Sequence, residues 1–155
     1  MPGDLFLVDT NILIRWVQPS VPDFELVRRA IQHLEDSRDI PCYTSQNLGE
    51  FWNVLTRPAD RNGYGLGLDA VLARTQQVEA KFCLLADEVA VHETWRKLLV
   101  TQRVSGTMVH DARLVASMHV HAVKRILTFN TRDFTRFADI EAVHPADLAH
   151  PGARE

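Results

Sequence analysis

The sequence predicts an α/β protein of three layers, with a central, mainly parallel sheet between two layers of helices. Two observations carry this. Short apolar runs of strand length alternate along the chain with stretches of helical period, the order that builds parallel sheets. The first such run, Leu5-Phe6-Leu7-Val8, is apolar throughout and ends abruptly in a carboxylate, Asp9. An uninterrupted apolar run suits a strand buried on both faces, and ligands of open α/β sheets bind at the carboxyl ends of the strands.

Each element follows in order. Residues 5–8 form the first strand, and residues 11–17 a short helix that Pro19 stops. Residues 23–37 place Phe24, Val27, Ile31 and Leu34 at the helical period, with Asp23 as the cap after Pro22. Residues 40–44 read as a strand, after which Ser45 caps a helix running to about Thr56. Pro58 and Asn62-Gly63-Tyr64-Gly65-Leu66-Gly67 make a loop. A helix over 68–80, a strand over 82–85 and a helix over 89–102 come next. Gly106 turns the chain into a helix over 108–119, and strands over 125–129 and 139–143 close the fold. Residues 1–145 thus form one domain, while 146–155, rich in Ala, His, Pro and Gly, are expected to be a loosely held tail.

The chain of 155 residues is long enough for one full core, and 46% hydrophobic with 24% charged residues is ordinary for a soluble globular protein. A net charge of −3 supplies no global attraction for nucleic acid, so any phosphate contact must come from a local group of Arg or Lys. No apolar stretch has transmembrane length and the N-terminus lacks signal-peptide features, so a cytoplasmic protein without membrane contact is expected. Cys42 and Cys83 lie in apolar strand-like stretches and read as reduced core residues.

The chemistry lies in the acids. Asp9 either caps the helix that begins at Thr10 and Asn11 or is the first ligand of a cation. Glu50 falls one turn into the helix after the second strand, at the margin of the face formed by Leu48, Phe51, Val54 and Leu55; an exposed Glu is the alternative. Asp111 shares a helical face with Leu114, Val115 and Met118. Burying one unpaired charge costs several kcal/mol, so Asp111 needs a partner, unless it is a first-turn acid favoured by the helix dipole with Thr107 as cap. After the strand at 125–129, Thr128, Asn130 and Asp133 can point into the same crevice, although turn chemistry also explains Asn130 and Asp133.

Three carboxylates about 5 Å apart repel by ~3 kcal/mol per pair at an effective dielectric near 20. Summed over the pairs, that rivals the roughly 5–15 kcal/mol stability of a whole domain. A fold keeps such a cluster through partial protonation or a cation, and oxygen ligands without cysteine favour Mg²⁺ or Mn²⁺. Zinc is disfavoured, because His119 and His121 point to different helix faces and His110 faces away from Asp111.

Taken together, Asp9-Thr10-Asn11, Glu50, His110-Asp111-Ala112 and Leu127-Thr128-Phe129-Asn130-Thr131-Arg132-Asp133-Phe134 resemble the motifs of PIN-domain ribonucleases, especially the VapC-like toxins of bacterial toxin–antitoxin pairs. The resemblance runs from Leu5 to about Pro145. It implies a PIN-like fold and metal-dependent hydrolysis of RNA phosphodiesters. Asp9, Glu50, Asp111 and Asp133 would be the catalytic acids, with Asp9, Asp111 and Asp133 holding Mg²⁺ or Mn²⁺ and Glu50 binding metal or orienting the water. Thr10, Asn11, Thr128 and Asn130 would support them; Asn130 stands where many relatives carry an acid. Arg15, Arg57 and Arg132, together with Arg61 and Arg136, are candidate phosphate contacts, and Trp16, Trp52 or Phe134 candidate base-stacking residues. A cognate antitoxin and a homodimer are the partners the resemblance implies.

Two rivals remain. Asn130 in place of an acid is the one feature that points to a catalytically degenerate PIN-fold scaffold. A haloacid-dehalogenase-like phosphatase would need a second Asp where Asn11 stands.

Overall fold

Five strands, β1 (Leu5–Val8), β2 (Ile40–Thr44), β3 (Cys83–Leu85), β4 (Arg125–Leu127) and β5 (Glu141–Val143), pair in parallel in the order β3-β2-β1-β4-β5. The computed structural model describes residues 3–150. Alternation along each strand divides the core in two. Phe6 and Val8 of β1, Tyr43 of β2 and Leu127 of β4 face one layer; Leu7, Cys42 and Ile126 face the other. The first layer comprises α1 (Thr10–Trp16), α2 (Phe24–Asp36), α3 (Ser45–Thr56), α4 (Leu68–Lys81) and α7 (Pro145–Ala149). The second comprises α5 (Val89–Thr101) and α6 (Met108–Val120), with Phe134 and Phe137 packed beneath. The three-layer α/β/α expectation therefore holds.

The handedness of crossovers explains the layering. From β1 the chain steps outward through β2 to β3, then returns past β1 to β4 and β5. Right-handed connections running in opposite directions put their helices on opposite faces. The reversal lies between β1 and β4, where Val8 stands opposite Leu127 and Asp9 N–H donates to the Leu127 carbonyl at 2.9 Å. The carboxyl ends of these two strands finish level, and the crevice opens there.

Several local expectations are corrected. Thr44, not Ser45, caps α3: its hydroxyl accepts from Asn47 N–H at 3.1 Å while Asn47 Oδ1 accepts from Thr44 N–H at 2.9 Å. Asp23 makes no cap bond and pairs instead with Arg15 at 3.5 Å; Thr107 makes none either. Residues 128–129 and 139–140 lie outside the strands. Cys42 is buried, which pushes its thiol up to about 12, but Cys83 is exposed because β3 is an edge strand. Both are free. Of the expected loose tail, residues up to 149 form α7, which packs on α2 and sets Leu148 against the core; 151–155 lie outside the described residues. No helix among the described residues is long and apolar enough to cross a membrane.

Candidate active site

A cavity of about 450 Å³ opens at the strand-order reversal. Four acids from four distant segments line it: Asp9 after β1, Glu50 in the second turn of α3, Asp111 near the start of α6, and Asp133 in the 3₁₀ turn Thr131–Phe134 after β4. Thr10, Asn11, Arg15 and Asn130 line it as well.

Asp9 caps α1 and also lines the cavity. Its backbone starts α1 and its Oδ1 accepts from Thr10 N–H at 2.8 Å, while its side chain faces the cavity. Oδ2 accepts from the Thr128 hydroxyl at 2.8 Å. Burial raises the Asp9 pKa above its ordinary value; the two hydrogen bonds oppose this, and the charges of Glu50 and Asp133 reinforce it. Thr128, fully buried, also accepts from Asn130 N–H at 3.0 Å and from Asn11 Nδ2 at 3.4 Å. Asn11 Oδ1 in turn accepts from Phe129 N–H at 3.3 Å. Thr128, Asn11 and Asn130 thus lock the β4 exit onto the β1 exit and fix Asp9 between them.

Glu50 is held from two sides. Its Oε2 accepts from the Thr10 hydroxyl at 2.9 Å and its Oε1 from Gln46 Nε2 at 3.2 Å. The same Gln46 nitrogen donates to the His110 carbonyl at 2.9 Å, tying α3 to the turn that carries Asp111. Behind Thr10 sits Asn47, completely buried, whose Nδ2 donates to the Thr10 hydroxyl at 3.3 Å. The sequence reading missed both Gln46 and Asn47. The spacing Thr44-x-x-Asn47 at the end of a strand is a capping-box signal for Asn47; nothing local marks Gln46.

Asp111 carries the clearest electrostatic mark. Its pKa is raised to about 7, first by burial and then by Asp9, Asp133 and Glu50. Arg15 is the one basic residue in the lining among the described residues, and it is engaged elsewhere. Its guanidinium donates to the Asn11 carbonyl at 2.9 Å, pairs with Asp23 and lies 4.4 Å over the Phe129 ring. The cluster therefore repels itself without a compensating side chain, and its donors are hard oxygens of the kind that suit Mg²⁺ or Mn²⁺. Among the described residues no group of three acids, cysteines or histidines is arranged to hold a metal ion. In charge and donor chemistry the residues fit such an ion.

Other candidates lie away from the cavity. The Arg57 guanidinium donates to the Asn62 carbonyl at 3.0 Å and braces the loop after α3. Arg132 is exposed and outside the lining. Phe134 is buried, Trp16 meets Phe82 edge-on at 5.0 Å, and Trp52 packs against the core. The aromatic residue at the cavity is Tyr64, which the sequence reading did not single out.

A parallel sheet with an acid-walled crevice at its reversal point defines the class, a PIN-type α/β fold. The chain belongs to the PIN-domain family, whose model matches residues 6–140. Solved structures with this fold include the DNA-bound VapBC from Salmonella typhimurium, with 18% identity, a TM-score of 0.67, and coverage of 92% of this chain and 99% of that one. VapBC2 from Rickettsia felis, bound to a promoter DNA fragment, has 10% identity and a TM-score of 0.66, over 90% of this chain and 98% of that one. Mycobacterium tuberculosis VapC20, a sarcin–ricin loop cleaving toxin, has 16% identity and a TM-score of 0.63, over 85% and 95%. At these identities the likeness is one of fold. No curated protein is significantly similar in sequence.

Proposed function

We infer that the protein is a metal-dependent endoribonuclease and the toxin of a toxin–antitoxin pair. The observation that carries this is the convergence of Asp9, Glu50, Asp111 and Asp133 on one cavity, with Asp111 raised to about 7 by burial and by its neighbours. Asp9, Asp111 and Asp133 would hold Mg²⁺ or Mn²⁺, which when bound polarises a phosphoryl oxygen and lowers the pKa of a water. Glu50, fixed by Thr10 and Gln46, would orient the attacking water and take its proton as the water oxygen adds to phosphorus, while the ester P–O bond breaks and the leaving ribose oxygen is protonated from solvent. Thr128, Asn11 and Asn130 keep Asp9 aimed. Arg15, which lines the cavity, binds the substrate phosphate in this reading, and Arg57 acts through the loop it braces.

The partners follow from the same charge. A cavity walled by four carboxylates suits an inhibitory segment carrying Arg, as an antitoxin would supply, and the relatives with this fold include VapBC complexes. A homodimer and a cytoplasmic site of action belong to the same proposal. Against the scaffold alternative stands Asp133, which lines the cavity beside Asn130 and offers a fourth carboxylate.

The experiment is cleavage of total and structured RNAs with Mn²⁺, then with EDTA, then for Asp9→Ala. Wild type is expected to cut with Mn²⁺ alone, and EDTA and Asp9→Ala each to abolish cutting. Persistence of cleavage in Asp9→Ala would overturn the assignment, and no cleavage of any RNA under Mn²⁺ would favour the scaffold.

A further inference from the structure

We propose that Tyr64, with Asn62 beside it, forms a subsite that stacks an unpaired RNA base at the lip of the carboxylate cavity. This rests on the nuclease reading and adds where the strand is gripped. Tyr64 is the one aromatic residue in the cavity lining among the described residues, and 40% of its surface stays exposed. Neither its ring nor its hydroxyl has a partner among the described residues, and the Asn62 side chain has none either.

The loop that carries the ring is stiff. Gly63 N–H donates to the Pro58 carbonyl at 3.1 Å, Tyr64 N–H to Val54 at 3.1 Å, Gly65 N–H to Arg57 at 2.8 Å and Leu66 N–H to Leu55 at 2.8 Å. Gly63 packs so tightly that a Cβ there would stand 1.9 Å from the Arg57 carbonyl oxygen. Asn62 and Gly65 take the left-handed turns this path needs, at φ 61° and 59°. The backbone that carries the ring is already fixed, so less conformational entropy is lost when a flat ligand settles on it.

The chemistry favours a base. The cavity beyond the ring is strongly acidic, so an anionic group is repelled there unless a cation intervenes. A nucleobase is flat and uncharged, and unpaired bases stack on aromatic side chains whatever their sequence. The free Asn62 amide offers both a donor and an acceptor to a base edge.

The test uses a fluorescein-labelled single-stranded oligoribonucleotide and an abasic oligomer of equal length, both bound in Ca²⁺ and read by anisotropy. Wild type is expected to bind the base-bearing oligomer about ten-fold tighter. Tyr64→Ala should lose that preference, whereas Tyr64→Phe and Tyr64→Trp should keep it. With Mn²⁺, Tyr64→Ala should raise KM about ten-fold and leave kcat nearly unchanged. An undiminished preference in Tyr64→Ala overturns the subsite while wild-type cleavage leaves the nuclease reading standing. Equal damage from Tyr64→Phe also overturns it, because the hydroxyl would then be the contact. A Tyr64-dependent base preference without cleavage under any divalent ion supports the subsite and defeats the nuclease reading. Weakened capture of a protein partner, with RNA binding unchanged, assigns Tyr64 to a protein interface and overturns the proposal.

Discussion

Asp111 sits on a helix whose other inward residues, Leu114, Val115 and Met118, are buried and apolar, and it faces three further carboxylates. Its place on that face follows from helical counting, but its neighbours do not, because residues 9, 50 and 133 meet it only in the folded chain. The raised pKa has a definite consequence for stability. A folded value of about 7 against an ordinary value near 3.9 means that the native state holds more protons than the unfolded state between these limits. Stability without metal should therefore fall as pH rises from about 4 to about 7, and level off above. Asp9, whose pKa is also raised, contributes in the same direction. In EDTA, Asp111→Asn should match wild type near pH 4 and become progressively more stable than it up to about pH 7; in Mn²⁺ the same variant should lose the cleavage that wild type shows. Urea midpoints at each pH measure this; a difference between the two proteins that stays constant with pH would count against the cluster.

The start of α3 shows how one element can carry both fold and site. Helical period alone places this helix after a β2 strand, and so puts Glu50 at the carboxyl edge. The cap is less readable, because Thr44 and Ser45 are both good capping residues and the choice depends on where β2 stops hydrogen bonding. With Thr44 as cap, Asn47 turns inward to meet Thr10, which holds Glu50. For a similar reason the helix at Pro145–Ala149 is hidden in a stretch expected to be loosely held, since five residues with a leading Pro show no period, and docking on α2 makes them helical. Asn47→Ala should cost about 1–2 kcal/mol in stability through the lost cap and also lower kcat about 10–100-fold through Glu50. Thr10→Val leaves the capping box intact but strands the buried Asn47 amide, so it should match that loss of kcat at a comparable cost in stability of about 1–3 kcal/mol. Wild-type turnover in Thr10→Val, measured beside the urea midpoints, would show that the chain from Asn47 to Glu50 has no part in positioning.

Across the whole molecule, the alternation of strands and helices specifies a parallel sheet but not the order β3-β2-β1-β4-β5. Right-handed crossovers allow the chain to step either way from β1, and the direction is set by which helices cover which face. That order is what makes Asp9 and Thr128 neighbours and assembles a site from residues more than a hundred positions apart. A ligand that bridges those segments binds only the folded state, so it should stabilise all of it together. At a concentration 100 times its Kd, a divalent ion adds about 2.7 kcal/mol. For a domain of this size that corresponds to a rise of roughly 5–10 °C in Tm. Calorimetry in Mg²⁺ or Mn²⁺ against EDTA should show this shift for wild type. It should shrink in Asp9→Asn, and in Asp111→Asn the melting temperature in EDTA should already be higher, because removing one charge relieves repulsion that the ion would otherwise neutralise. Equal shifts in wild type and both variants would place the cation elsewhere on the surface, and with it would go the reason for four acids to converge.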